Sequence, residues 1–224
     1  SGYLVARAGF LSINAAASWI PWLLIYTFQL AGKKPGTFIK LCDVLSMLLL
    51  DGHAQTAFYG ILLSGVWSIY WALVKSEKGQ YVKDLGQTII RFFGPGLWAA
   101  GISAIQLFPT GEYLLLSQRS IEYGYENAMT YSFWPWRFLT YLLPNLFGNP
   151  ATGEYWGYGN FWEDAVYIGL LPILLALGYL INSICGKTQK INDENRSEFP
   201  GLGLFLGAII LVSFVLALGK NTPI

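Results

Sequence analysis

Apolar residues in this chain fall in long, nearly unbroken runs with short polar punctuation, the pattern of helices that meet lipid over most of their surface. Residues 52 to 74, 85 to 108, 163 to 182 and 201 to 219 are each long enough to cross a hydrocarbon core of about 30 Å as a helix. A shorter pair of runs, residues 15 to 31 and 36 to 50, flanks Gly32-Lys33-Lys34-Pro35-Gly36. The second of these is short if Asp51-Gly52 forms the turn that ends it. The pattern predicts an all-α, polytopic helical membrane fold of about six transmembrane helices in a single membrane domain, residues 1 to 224.

Composition supports the same class. With 54% hydrophobic and only 12% charged residues, the chain has too little polar surface for a soluble globule of its size. A net charge of +1 and the absence of a basic run with interleaved aromatics give no argument for nucleic acid. Cys42 and Cys185 are isolated in sequence, so they indicate neither a disulfide framework nor a CxxC metal site.

Charge matters by location. Lys33, Lys34 and Lys40 fall at one connection, Lys75, Lys78 and Lys83 at another, and Lys187, Lys190 and Arg196 at a third. If every segment crosses once, all three connections share one side, which the retention of basic residues identifies as the cytoplasm. The other side then holds Arg7, the turn Asp51-Gly52-His53, a long extracytoplasmic loop at 109 to 162, and Lys220. Residues 183 to 200 form a cytoplasmic loop, which makes the Asn195-Arg196-Ser197 sequon a chance match. The chain opens on Ser1-Gly2 without an initiator methionine and stops just after an apolar helix, so it is expected to be a fragment of a longer protein.

The 109 to 162 loop is the place to look for chemistry, because connections of that length in membrane proteins are seldom idle. It is crowded with rings, Trp134, Trp136, Trp156 and Trp162 among them, and carries Glu112, Glu122, Glu126 and Glu154. An interfacial belt accounts for such rings by default. A mixed Trp/Tyr/Glu surface also suits a sugar or lipid headgroup, since ring faces stack on pyranoses while carboxylates accept hydrogen bonds from hydroxyls. The stretch from Trp134 to Leu143 is predicted to fold back as a short surface helix, entered through Pro135.

Polar residues at membrane depth add candidates: His53 and Gln55 at one helix start, Gln106 near the end of another, Glu163 and Asp164 at a third. Each also has a structural reading, as a cap or as a partner of the helix dipole. The sequence holds no GxSxG, P-loop, HExxH or SxxK signature. No second histidine, cysteine pair or Asp-x-Asp cluster is present to complete a metal shell, so no cofactor site is evident.

A family resemblance extends this reading. Ser1-Gly2-Tyr3-Leu4 with Arg7, Ala17-Ser18-Trp19-Ile20-Pro21-Trp22 and Gly52-His53-Ala54-Gln55-Thr56-Ala57 resemble bacterial membrane proteins of the YfhO-like family. Downstream, Ala104-Ile105-Gln106-Leu107-Phe108-Pro109-Thr110, Ser117-Gln118-Arg119, Pro144-Asn145-Leu146-Phe147-Gly148, Tyr155-Trp156-Gly157 and Trp162-Glu163 through Tyr167-Ile168-Gly169 follow in the family's order. That family is similar to the GT-C class of polytopic glycosyltransferases, which take sugar from a polyprenyl-phosphate donor on the outer face of the membrane.

The resemblance implies a multi-pass protein of the bacterial cytoplasmic membrane that modifies an envelope polymer or lipid. In the wider class an acidic residue in the first outer loop acts as base or metal ligand. This chain is expected to begin several helices later, so no catalytic residue is assigned here, and a divalent metal, if used, has no visible site in it. The expected share of these residues is binding: Arg119 or Arg137 near the donor phosphate, Trp156, Trp162 and Glu163 near the sugar, with His53 and Gln106 lining the same outer cavity. Two other classes stay open. One is a non-catalytic structural subunit of a larger membrane complex. The other is a lipid or solute transporter, which should show paired broken helices; Gly94-Pro95-Gly96 is a single break.

Overall fold

The computed structural model describes residues 2–77, 79–117, 129–130, 132–157, 160–184 and 201–222. The fold is all-helical, with no strand among the described residues. In chain order the helices are α1 (Gly2–Ala6), α2 (Leu11–Ala31), α3 (Thr37–Leu50), α4 (Ala54–Lys75), α5 (Tyr81–Ile102), α6 (Ala104–Leu116), α7 (Phe161–Asp164), α8 (Leu170–Ile184) and α9 (Leu202–Leu218). Short 3-10 helices cover Pro135–Tyr141, Pro150–Thr152 and Gly219–Asn221. The chain divides into two compact units, one of residues 10–122 and one of residues 1–9 with 123–224.

The first unit is the bundle α2 to α6. Its core is Leu23, Leu41, Leu45 and Leu48 closed in by the small residues Ala16, Ala57 and Ala99. Small residues let helix backbones approach, as at Gly60, where an added Cβ would lie 3.3 Å from Ile20 and 3.4 Å from Leu48. Several hydroxyls inside the bundle are satisfied by their own helices. Thr27 Oγ1 donates to the Leu23 carbonyl, Ser46 Oγ to Cys42 and Ser68 Oγ to Ser64, the arrangement required where water is scarce. Two longer-range bonds tie helices together: Trp67 Nε1 donates to the Leu24 carbonyl at 3.1 Å, and Ser103 Oγ to the Ser46 carbonyl at 3.2 Å.

The second unit is built on α8 and α9, which approach at Gly203 and Gly207. A Cβ on Gly207 would come within 2.8 Å of Leu180, and one on Gly203 would meet Ser183 and Tyr179. This small-xxx-small spacing lets two large apolar helices pack without a knob between them. The predicted surface helix within 134 to 143 is the 3-10 helix Pro135–Tyr141, folded against α9. Phe138 and Tyr141 meet Phe214 edge-on at 4.9 and 5.8 Å, and the Phe133 amide donates to the Ala217 carbonyl at 2.7 Å. Asn221 Nδ2 donates back to the Phe133 carbonyl at 3.1 Å.

Among the described residues, three helices, α2, α4 and residues Leu202–Asn221, are long and apolar enough to cross a membrane, and a fourth span results if α5 and α6 count as one. Three predicted segments differ from the helices observed. The 36 to 50 run is helical but only 14 residues long, a rise of about 21 Å that falls short of the hydrocarbon core. The 85 to 108 run is bent by 78° at Ser103, whose ψ of 5° leaves the helical range, and the helix continues through Pro109 into the predicted outer loop. The 163 to 182 run breaks after Asp164. Gly169, at φ +105°, cannot continue a right-handed helix, and Pro172 is tolerated only in the first turn of the helix that restarts at Leu170.

Candidate functional site

In the α2 to α6 unit, polar side chains gather at the α3–α4 turn. Asp51 closes α3, Gly52 turns the chain at φ +76°, and His53 caps α4. His53 Nδ1 accepts a hydrogen bond from the Thr56 amide at 3.2 Å and lies 2.7 Å from Thr56 Oγ1. A backbone N–H can only donate, so Nδ1 is the unprotonated ring nitrogen in this cap. Gln106, from α6, reaches the same turn, its Nε2 lying 3.7 Å from where a Cβ on Gly52 would be. Gln106 Nε2 also donates to Thr110 Oγ1 at 3.4 Å. The structure thus brings His53 and Gln106 to one turn, as exposed or half-buried groups.

Sequence reading treated Asp51 only as part of the turn. Its Oδ2 is buried with no hydrogen-bond partner among the described residues. Burial pushes its carboxyl above the ordinary aspartate range, while a hydrogen bond from the Trp19 side chain acts in the opposite sense. The sequence signal was an aspartate directly after an apolar helix, two residues before the lone histidine.

The other unit holds the second cluster. Arg7 Nη2 lies 3.8 Å from Glu163 Oε2, and its guanidinium stands 4.1 Å over the Tyr3 ring. The local fold places these groups: the Gly2 amide donates to the Tyr167 carbonyl at 2.6 Å, joining α1 to the segment after α7. Trp162 is exposed beside Glu163 on α7. Trp156 is 70% exposed, its ring edge-on to Phe147 at 5.1 Å. Tyr155 meets Phe161 edge-on at 5.8 Å, which links the Trp156 segment to α7. A partly exposed carboxylate paired with an arginine can accept hydrogen bonds from hydroxyls, and exposed indoles in the same unit can stack an apolar ring face.

Arg137 lies elsewhere in that unit and is only 3% exposed, within the 3-10 helix whose Thr140 Oγ1 donates to the Arg137 carbonyl at 2.7 Å. Arg119, the Asp164 side chain, Cys185 and the predicted cytoplasmic loop from 185 onward lie outside the described residues. No group of three or more His, Cys, Asp or Glu side chains able to hold a metal occurs among the described residues. Comparison with family models, curated proteins and solved structures finds no match for this chain.

Proposed function

We propose that this chain is part of a multi-pass, GT-C-like glycosyltransferase of the bacterial cytoplasmic membrane, which holds a polyprenyl-phosphate-linked sugar at the outer face to modify an envelope polymer or lipid. The observation that supports this reading is the grouping of Glu163, its partner Arg7 and the open faces of Trp162 and Trp156 within one unit that also carries apolar helices. In this reading Glu163 accepts hydrogen bonds from sugar hydroxyls, the indoles stack on the pyranose, and Arg119 meets the phosphate. Arg137, the other cation expected near the phosphate, is buried within the 3-10 helix Pro135–Tyr141.

The test is binding of a polyprenyl-phosphate glucose to the complete protein in nanodiscs, followed by transfer to acceptor lipid. Glu163→Gln and Arg119→Ala are each expected to weaken binding or transfer about tenfold, the effect of losing one charge-assisted contact of about 1.5 kcal/mol. Trp156→Ala should raise the KM for the lipid-linked sugar. Full transfer by both charge variants would leave the chain as a scaffold in a larger assembly.

A further inference from the structure

At the far end of α3 from Asp51, the α2–α3 turn and α5 line an open cavity of about 450 Å³. Its charged lining is wholly cationic, Lys33, Lys34 and Arg91, with Thr37 as a neutral polar neighbour. Its apolar wall is Leu30, Phe38 and Ile90, with Phe38 resting on Gly94, where an added Cβ would lie 3.2 Å from the ring. Phe38 is 43% and Ile90 73% exposed, so the apolar wall runs out onto the open face of the bundle. Lys33 and Arg91 also line an adjoining cavity of about 250 Å³, together with Lys75.

Three observations separate this cavity from an ordinary basic rim. First, no carboxylate lies within salt-bridge distance of Lys33, Lys34, Lys75 or Arg91 among the described residues, although Glu77 and Asp84 line the adjoining cavity. Those two carboxylates take neutral donors instead, Glu77 from Gln80 Nε2 at 3.2 Å and Asp84 from Ser76 Oγ at 2.6 Å. Second, Arg91 is nearly three turns into α5, a depth at which a charged group calls for an anionic partner or a wet cavity. Third, Lys33 has φ +56°, the one non-glycine residue with positive φ among the described residues. A glycine would take that conformation without the steric cost a side chain meets there, yet the position carries a lysine, and that residue lines both cavities.

We infer that this cavity binds the phosphate of an anionic phospholipid headgroup, with Lys33, Lys34 and Arg91 around the phosphate and the glycerol and first methylenes against Phe38 and Ile90. The mixed lining decides for a lipid over a free anion, because a soluble phosphate has no use for an apolar wall open to the bundle face. The site is independent of the sugar-lipid reading, and it involves none of the residues assigned there.

Native mass spectrometry of the complete protein, titrated with phosphatidylglycerol and with phosphatidylcholine of the same acyl chains, tests it. Phosphatidylglycerol should be retained at least tenfold more strongly, and Lys33→Gly and Arg91→Gln should each remove about tenfold, equal to about 1.4 kcal/mol. Lys33→Gly serves as the safe variant, since glycine accepts the left-handed backbone and preserves folding. Lys83→Gln, on α5 but outside both cavities, should bind as the parent does. Equal retention of the two lipids, or undiminished binding by folded Lys33→Gly, overturns the inference. Displacement of phosphatidylglycerol by equimolar glycerol 3-phosphate overturns the lipid as the source of the phosphate.

Discussion

Arg7, just after α1, and Glu163 of α7 come together at a distance of 3.8 Å, with the guanidinium also 4.1 Å above Tyr3. The Arg7 side chain is 12% and the Glu163 side chain 41% exposed, and at 3.8 Å, near the outer limit for an ion pair, a pair open to solvent on the Glu163 side contributes roughly 1 kcal/mol or less to stability. Glu163→Gln should therefore leave the unfolding temperature in detergent nearly unchanged while weakening sugar-lipid binding. A large thermal loss with intact binding would make the pair a structural clamp and remove it from the site.

Gly203 sits where α9 touches α8, and a methyl group there would collide with Ser183 and crowd Tyr179. Gly178, on α8, has nothing within 4 Å of its would-be Cβ. Alanine at the two positions should thus act in opposite directions. Gly203→Ala is expected to lower stability by about 1 to 3 kcal/mol through overpacking, and Gly178→Ala to raise it by about 0.5 to 1 kcal/mol through helix propensity. Thermal unfolding of both variants in the same detergent measures this, and like signs would contradict the packing described.

The apolar runs revealed the helices because lipid-facing sequences carry their pattern locally, as Leu202–Leu218 does almost without a polar residue. Element ends were less legible. The bend at Ser103 is held by the carbonyl of Ser46 on another helix, information that no window around residue 103 contains. The candidate site shows the same division. Glu163, Trp156 and Trp162 stood out as polar or aromatic residues at a membrane boundary, but the partner of Glu163 is Arg7, which lies far away in sequence. Arg137 was expected near the donor phosphate as a cation of the outer loop, and its burial accompanies the folding of Pro135–Tyr141 onto α9, which the local sequence does not record.

His53 was a candidate for the outer cavity, and its ring has a structural task as the cap of α4. An asparagine side chain can accept the same hydrogen bond from the Thr56 amide, whereas alanine cannot. His53→Ala should cost about 0.5 to 2 kcal/mol of stability, and His53→Asn much less. Chemical denaturation in mixed micelles compares the two. If Asn is as damaging as Ala, the imidazole contributes something beyond capping, and its place beside Gln106 becomes the first position to probe.

Asp51 supplies a pH dependence whose sign follows from its burial. Its carboxyl titrates above the ordinary aspartate range in the folded protein, chiefly because burial disfavours the charged form. The folded state then holds a proton that the unfolded state has released, over the interval between the ordinary aspartate value and the raised one. Stability from this group is present below that interval and falls as the pH rises through it. Above it, the protein carries an ionised carboxylate whose Oδ2 has no hydrogen-bond partner among the described residues. Asp51→Asn, neutral at every pH, should melt higher than the parent at pH 7, and the difference should shrink as both are moved into the acid range. Unfolding temperatures of the pair measured across pH 4 to 8 decide the matter. A parent that becomes more stable relative to Asp51→Asn as the pH rises would show that the carboxylate has a cationic or metal partner when ionised, and would turn Asp51 from a buried liability into a ligand.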